Sequence, residues 1–262
     1  PSVATAPKPA ATPGPKPATM PTTQPNTAVT TLKAGTVSVA KFPGGPEISF
    51  AYIPAGLFKM GANGIQTGET VKIRKAFWMQ QTEVTQAQWK AVMGPTDFNC
   101  FVSESMTKPL EQKFYGDRKP VVCVTWNDAA EFVRQLNLKN DGYHYRLPTG
   151  AEWEYAARAD SINDKPEDLN SIAWFLDNSD GSGTHEVATK KANAWGLFDM
   201  LGNAEEWVQE CNYTCEIRGG EYAGFGNFMY PAFKRSTGAE YTSNGRGFRI
   251  LREAGPASPR PK

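Results

Sequence analysis

Residues 146–158 read RLPTGAEWEYAAR, and residues 196–207 read GLFDMLGNAEEW. The first stretch is an amphipathic helix with its start written out. Thr149 stands at the N-cap, and Glu152 three residues on completes a capping box. Glu152 and Glu154 are two residues apart on that helix and face different sides, so they do not make a paired-carboxylate acid/base centre. The second stretch has little periodicity. It mixes Gly, Asn, acidic and aromatic residues, as an ordered loop does.

Upstream, 125–137 (TWNDAAEFVRQLN) places Ala129, Phe132, Val133 and Leu136 on one helical face. Thr85 caps a shorter helix, QAQWKAVMG, that ends at Gly94. Before it, TVSVAKF, EISFAYI, GLFKMG and VKIRKAFWMQ carry strand character, with the turn GANGIQTGET between the last two. Beyond residue 160 regular patterning fades, and short strands are expected only at EIRGG and GFRIL. The glycines of GFGNF and GANG link no strand to a helix and read as turns, not phosphate loops. There is no internal repeat. The expectation is one compact α+β domain over residues 36–253, poor in regular structure and rich in ordered loops that need staples.

Flanking it, residues 1–35 form a Pro/Ala/Thr-rich arm or linker, and 254–262 a Pro-rich tail. Eight of the 20 prolines lie in the first 31 residues, and no acid precedes Glu47. Such a segment buries too little apolar surface to order itself and favours polyproline II, so a partner surface is what would hold it.

Composition sets further bounds. At 40% hydrophobic and 11% aromatic, 262 residues suffice for a substantial core. Lys plus Arg is 28 against 27 for Asp plus Glu, so the near-zero balance gives no case for nucleic acid. No apolar run approaches the roughly 18 residues of a membrane span. The chain opens at Pro1 with no signal-peptide pattern, and the expected setting is extracytoplasmic (periplasmic, cell-surface or secreted) after removal of such a peptide. Four cysteines, Cys100, Cys123, Cys211 and Cys215, allow two disulfides in three pairings, or buried thiols. If the chain is exported, Cys211 with Cys215, or Cys100 with Cys123, is expected to pair. Zinc is disfavoured, because Cys211 and Cys215 are the one pair at permissible spacing and His144 and His185 are the only histidines.

In order and spacing, FAYIPAGLFKMG, RKAFWMQQTEVTQAQWKAVMG, KPVVCVTWNDAAEFVRQLN, YRLPTGAEWEYAARA, NAWGLFDMLGNAEEWVQE and IRGGEYAG…RGFRIL resemble the formylglycine-generating-enzyme-like (sulfatase-modifying factor) family. The resemblance covers residues 46–251 and implies a fold related to C-type lectins. Members include copper oxidases, iron sulfoxide synthases and diversified ligand binders, so function is decided by the site.

The copper oxidases hold Cu(I) on two thiolates shortly after an RGGS motif. Here Arg218-Gly219-Gly220 is followed by EYAGFGNFM, and no Cys follows Cys215. Met229 is a soft thioether better suited to packing. Iron members need several histidines, which two cannot supply; His185 reads as structural and His144 as a hydrogen-bonded surface or half-buried side chain. No copper or iron is expected. A triad of Asp180, His185 and a nearby Ser lacks a nucleophile context. The resemblance does imply a structural calcium site: a side-chain oxygen of Asp199, the carbonyls of Gly202 and Ala204, and the Glu206 carboxylate.

Residues 221–246 carry rigid aromatics among small polar residues, the composition of a recognition surface. Candidate groove residues are Tyr222, Phe225, Asn227, Phe228, Tyr230 and Tyr241, with Tyr222 and Phe233 expected to lean into the core. Arg235 and Arg249 are expected to pair with buried carbonyls or carboxylates. The function expected is a non-catalytic extracytoplasmic binding or assembly module. It would hold a protein partner through its groove or arm, as a subunit of a larger assembly. The alternatives are an enzyme or maturation factor acting on a partner protein, and a lectin-like ligand binder.

Overall fold

The computed structural model describes residues 32–42, 45–62, 67–96, 98–103, 106–109, 111–161, 166 and 168–254. Most of the expected arm (1–31) and tail (255–262) therefore lies outside the described residues. In chain order the strands β1 (Val37–Ala40), β2 (Ile48–Ile53), β3 (Gly56–Met60), β4 (Glu69–Ile73) and β5 (Phe77–Gln80) precede helix α1 (Gln86–Met93). Strands β6 (Asn99–Ser103) and β7 (Met106–Pro109) lead to α2 (Trp126–Asn137), β8 (Tyr143–Arg146), α3 (Gly150–Arg158) and the short α4 (Leu169–Ile172). The chain closes with β9 (Glu205–Cys211), β10 (Cys215–Arg218), β11 (Lys234–Thr237), β12 (Arg246–Phe248) and β13 (Leu251–Ala254). The result is an α+β domain with low helix content, as expected.

Two sheets carry the domain. The first is five-stranded and antiparallel in the order β1-β2-β5-β13-β8; the second runs β11-β10-β9-β12. In the second, β12 lies parallel to β9, Gly247 opposite Glu206, and the other pairs are antiparallel. GFRIL is therefore not one strand: its ends belong to different sheets, and Arg249 and Ile250 make the crossing. The crossing leaves Arg249 fully buried between the sheets.

The helices start where the sequence says. Thr85 and Thr149 close capping boxes with Gln88 and Glu152, and Thr125 does the same for α2 with Asp128. Each box satisfies amide donors that a helix N-terminus otherwise leaves open. Helix α2 buries Ala129, Phe132 and Leu136, while Val133 is half-buried. Phe132 stacks on Trp89 of α1 at 5.6 Å and meets Phe248 of β12 edge-on at 5.3 Å, which joins both helices to the second sheet. Arg252 of β13 is buried with its guanidinium between the Phe50 and Tyr143 rings, 4.3 and 4.0 Å away.

Two disulfides staple the loops. Cys100 bonds Cys123, and Cys211 bonds Cys215 directly across the β9–β10 pair. Among the described residues no cysteine is free. None of the described helices is long and apolar enough to cross a membrane.

Helix α3 is anchored by Glu152, whose carboxylate receives two Arg146 N–H groups at 2.7 Å each. Burial opposes the Glu152 charge, but Arg146 outweighs it and holds the pKa below 4.5. That stabilisation is present above the unfolded value near 4.5 and is lost as pH falls through the folded one. Glu152→Gln keeps the capping acceptor but not the charge. Its denaturation midpoint should lie below wild type at pH 7, and the two should converge under acid. Thr149→Ala should cost about 1 kcal/mol in urea unfolding. Non-reducing peptide mapping should recover the Cys100–Cys123 and Cys211–Cys215 linkages; four free thiols in unreduced protein would contradict both.

Candidate functional site

Two regions of the domain carry the candidate residues, one buried and one exposed. The buried one forms around Arg249. Its Nε donates to both Glu206 oxygens at 2.9 and 2.8 Å, and its Nη2 to Glu206 Oε1 at 2.7 Å. The remaining donors reach the carbonyls of Gln80, Gln81 and Phe198. Trp153 of α3 gives its indole N–H to Glu206 Oε2 at 2.7 Å. Burial opposes the charge on Arg249, and the Glu206 carboxylate more than restores it, so the guanidinium pKa is raised.

The loop before β9 wraps this pair. Asp199, Gly202 and Asn203 all have left-handed backbone, at φ of 53°, 77° and 58°. Asp and Asn are the non-glycine residues that tolerate it best. A side chain at Gly202 would meet the Trp174 carbonyl oxygen at 2.1 Å, so only glycine fits. Asn203 accepts the His185 amide at 2.8 Å and donates to Glu83 Oε1 at 3.0 Å. Asp199 Oδ2 accepts the Ala188 amide at 2.7 Å, whereas its Oδ1 and Glu83 Oε2 are buried without a partner. Burial pushes the Asp199 carboxyl up to about 6, and burial followed by the Asp199 charge pushes Glu83 well above the usual carboxylate range.

Of the side chains expected to hold calcium, Asp199 presents a free oxygen, while the Glu206 carboxylate is filled by Arg249 and Trp153. Two of the four expected ligands, Asp199 and Glu206, thus lie at this centre, and Asp199 is the one with a side-chain oxygen left over. Sequence reading missed Glu83, because nothing in TEVTQ distinguishes a buried acid from an exposed one. Strand β9, which delivers Glu206, was also missed. Its first four residues are all buried, so it shows no alternation.

The exposed region follows Arg218-Gly219-Gly220. Met229 is buried against Ala173, Phe175 and Leu201, a packing role. The turn at Gly226–Phe228 lifts Phe225, 61% exposed, and Phe228, 41% exposed, with exposed Asn227 between them. Phe233 stacks on Phe228 at 5.0 Å and meets Tyr230 edge-on at 5.8 Å. Exposed Leu176, absent from the sequence-based set, joins this segment through its amide bond to the Gly224 carbonyl. Tyr222 is buried against Phe114 at 5.7 Å, and Phe233 is half-buried, as expected. Tyr241 is exposed and packs on Gly238. Behind the face, Glu205 binds Arg246 at 2.6 Å and also Arg235, and Glu221 lies 3.9 Å from Arg235.

Among the described residues, neither histidine forms a nucleophile–base pair oriented by a carboxylate. His185 stacks flat on Trp174 at 3.7 Å, and its Nε2 lies 3.3 Å from Ser182 Oγ. Its Nδ1 has no partner, so no carboxylate orients the ring, and the Ser182 hydroxyl donates to the Ser179 carbonyl at 2.5 Å. His144 stands at the surface, 3.8 Å from Glu253. Glu152 and Glu154 do face apart: the first binds Arg146, the second Arg158 and Arg218.

An antiparallel and a mixed sheet joined by a buried arginine, capped short helices and long ordered loops define an α+β domain of the kind found in formylglycine-generating enzymes. Residues 38–254 match the family model described as the sulfatase-modifying factor enzyme 1-like domain, and the chain belongs to that family. It is 28% identical over 187 residues to the chaperone protein LppX of Paenibacillus barcinonensis, covering 51% of this chain and 62% of that one. It is 38% identical over 104 residues to the formylglycine-generating enzyme of Mycobacterium tuberculosis, covering 34% of this chain and 32% of that one. The chain thus spans less than two thirds of the length of these curated relatives. The structure of PvdO from Pseudomonas aeruginosa superposes with a TM-score of 0.72 at 26% identity, covering 85% of this chain and 99% of that one.

The buried and exposed regions should respond differently to mutation. Arg249→Ala strands the Glu206 carboxylate in the core and should lower the unfolding free energy by roughly 3–5 kcal/mol. Phe225→Ala removes an exposed ring and should change it by no more than about 0.5 kcal/mol. Urea denaturation of both variants checks the contrast.

Proposed function

We propose that this domain is a non-catalytic binding or assembly module, working outside the cytoplasm, that holds a protein partner on the face around Phe225 and Phe228. One observation carries the reading. All four cysteines are bound in disulfides, and the segment after Gly220 offers exposed aromatics instead of thiolates. A copper oxidase of this family type needs two thiolates to hold Cu(I), and this chain has no cysteine after Cys215. Aromatic side chains on a short turn are rigid and amphipathic, and they dominate protein interfaces at small entropic cost. Disulfides persist in oxidising compartments, which supports the extracytoplasmic setting. The likeness to a protein named as a chaperone supports action on another protein.

Incubated with Cu(I), oxygen and a sulfatase-type cysteine peptide, the purified chain should form no aldehyde. Formylglycine in the product would overturn the non-catalytic reading. A Phe225→Ser, Phe228→Ser double variant should melt within a degree or two of wild type and lose the protein that accompanies wild type from its native source. Unchanged retention of that partner would move the interface elsewhere.

A further inference from the structure

Strand β4 and the turn after it read VKIRKAF over residues 71–77. Ile73 is buried in the core, while Lys72, Arg74 and Lys75 are exposed. Among the described residues, none of these three side chains has an ion pair or a hydrogen bond. Several exposed cations elsewhere are answered in place: Lys41 by Glu47, Arg118 by Glu186, Arg134 by Glu131 and Lys234 by Glu216. Three unanswered cations between residues 72 and 75 are a local departure in a chain whose net charge is +1.

The three cations line a cleft of about 310 Å³. Residues 71–77 border it together with Arg146, the start of α3 and Glu253. Consecutive residues from both faces of β4 line it and none from β3, so the cleft runs along the side of β4 that β3 leaves unpaired. Among the described residues β4 has no second partner strand, and outside its ladder with β3 no backbone hydrogen bond reaches residues 69–76. Alternate residues of such an edge turn their N–H and C=O groups outward, which is a template for another strand. The acids of the cleft are already engaged. Glu152 takes two Arg146 N–H groups at 2.7 Å each, and Glu253 a third at 3.2 Å. Lys72, Arg74, Lys75 and Arg146 thus face only Glu152 and Glu253, and the cleft is left positive.

We propose that this cleft receives an extended acidic segment of a protein partner, which adds as a strand along the free edge of β4 and sets its carboxylates against Lys72, Arg74 and Lys75. The occupant follows from two chemistries lying side by side. An unpaired edge is matched by a polypeptide backbone, which neither a lipid surface nor a polysaccharide has. Unanswered cations are matched by acidic side chains, and the Arg74 guanidinium has the fork that takes a carboxylate through two N–H groups. A second copy of this chain is the poorer match. Pairing β4 with itself would bring Lys72 and Arg74 against their own copies, and edge lysines guard a strand against that. The cleft shares no residue with the face around Phe225 and Phe228, and the proposal does not rest on that face. Exposed ion pairs are individually weak and screened by salt, so this contact is salt-sensitive.

The test is fluorescence anisotropy of a labelled octaglutamate peptide with the full chain at low ionic strength. Wild type should bind it, and the triple variant K72E, R74E, K75E should bind at least about tenfold more weakly. No binding by wild type would overturn the proposal. The control K33E, K90E, K139E makes the same charge change at exposed lysines outside the cleft and should weaken binding far less. Equal loss in both variants would reduce the effect to overall charge and overturn the site. Octaglutamate with alternate backbone nitrogens methylated keeps every carboxylate but cannot pair as a strand, so it should bind more weakly than the plain peptide; equal affinity would overturn strand addition. Tighter binding of dextran sulfate or of phosphatidylglycerol vesicles, lost in the same triple variant, would give the cleft to another polyanion. The double variant Phe225→Ser, Phe228→Ser should hold the peptide as wild type does, and loss there would move the peptide to the aromatic face. Should the triple variant fail to fold, photo-cross-linking of the peptide to wild type decides the matter: the adduct should map within residues 71–77, and an adduct elsewhere would contradict the site.

Discussion

The bonded pair of Arg249 and Glu206 is the constraint on which the rest depends. Arg249 occupies the crossing between the two sheets, and Glu206 the parallel pairing of β9 with β12. One guanidinium thereby fixes the end of β5, the loop at Phe198 and the core of the second sheet. Breaking such a pair leaves an uncompensated charge, so it sets geometry as much as stability. The neighbouring loop adopts left-handed backbone at Asp199, Gly202 and Asn203 around it, and Trp153 brings α3 onto the same carboxylate. A domain with little regular structure holds its shape because its loops close on buried ionic groups and disulfides.

This construction separates scaffold from surface. Glu154, next to Trp153 on α3, repeats the device: it binds Arg158 and Arg218 and accepts the Gly61 amide. Gly219 and Gly220, both with positive φ, then turn the chain away from the core. Beyond them only Tyr222 and Met229 of the next ten residues pack deeply enough to be fully buried. Side chains between those two anchors can change without disturbing the core, and here Phe225 and Phe228 face outward. This is the surface we propose for partner binding, and all four cysteines lie in disulfides.

Much of the frame was legible in the residues. Thr85 and Thr149 declared their helices because a capping box is local chemistry that tertiary context rarely overrides. Strands β1, β2, β3 and β5 showed in the alternation and composition of half-buried segments. In the second sheet β10 and β12 showed at EIRGG and GFRIL, but the other two strands did not: the first four residues of β9 are all buried, and β11 presents mostly exposed residues. GFRIL read as one strand because a crossing between sheets leaves no mark on apolar pattern. The aromatic face was readable as composition, but Leu176 joined it through a backbone bond that no pattern announces. Glu83 stayed hidden for a deeper reason. Its burial arises from contacts more than 100 positions away in sequence, at Asp199 and Asn203.

The most direct measurement is the mass and composition of the untagged particle isolated from its native source. A chain of 28.7 kDa that serves as a binding or assembly module should be recovered in a larger complex of defined stoichiometry with a second protein. Recovery as a lone 28.7 kDa chain, at native concentration and without any co-purifying protein, would contradict that function.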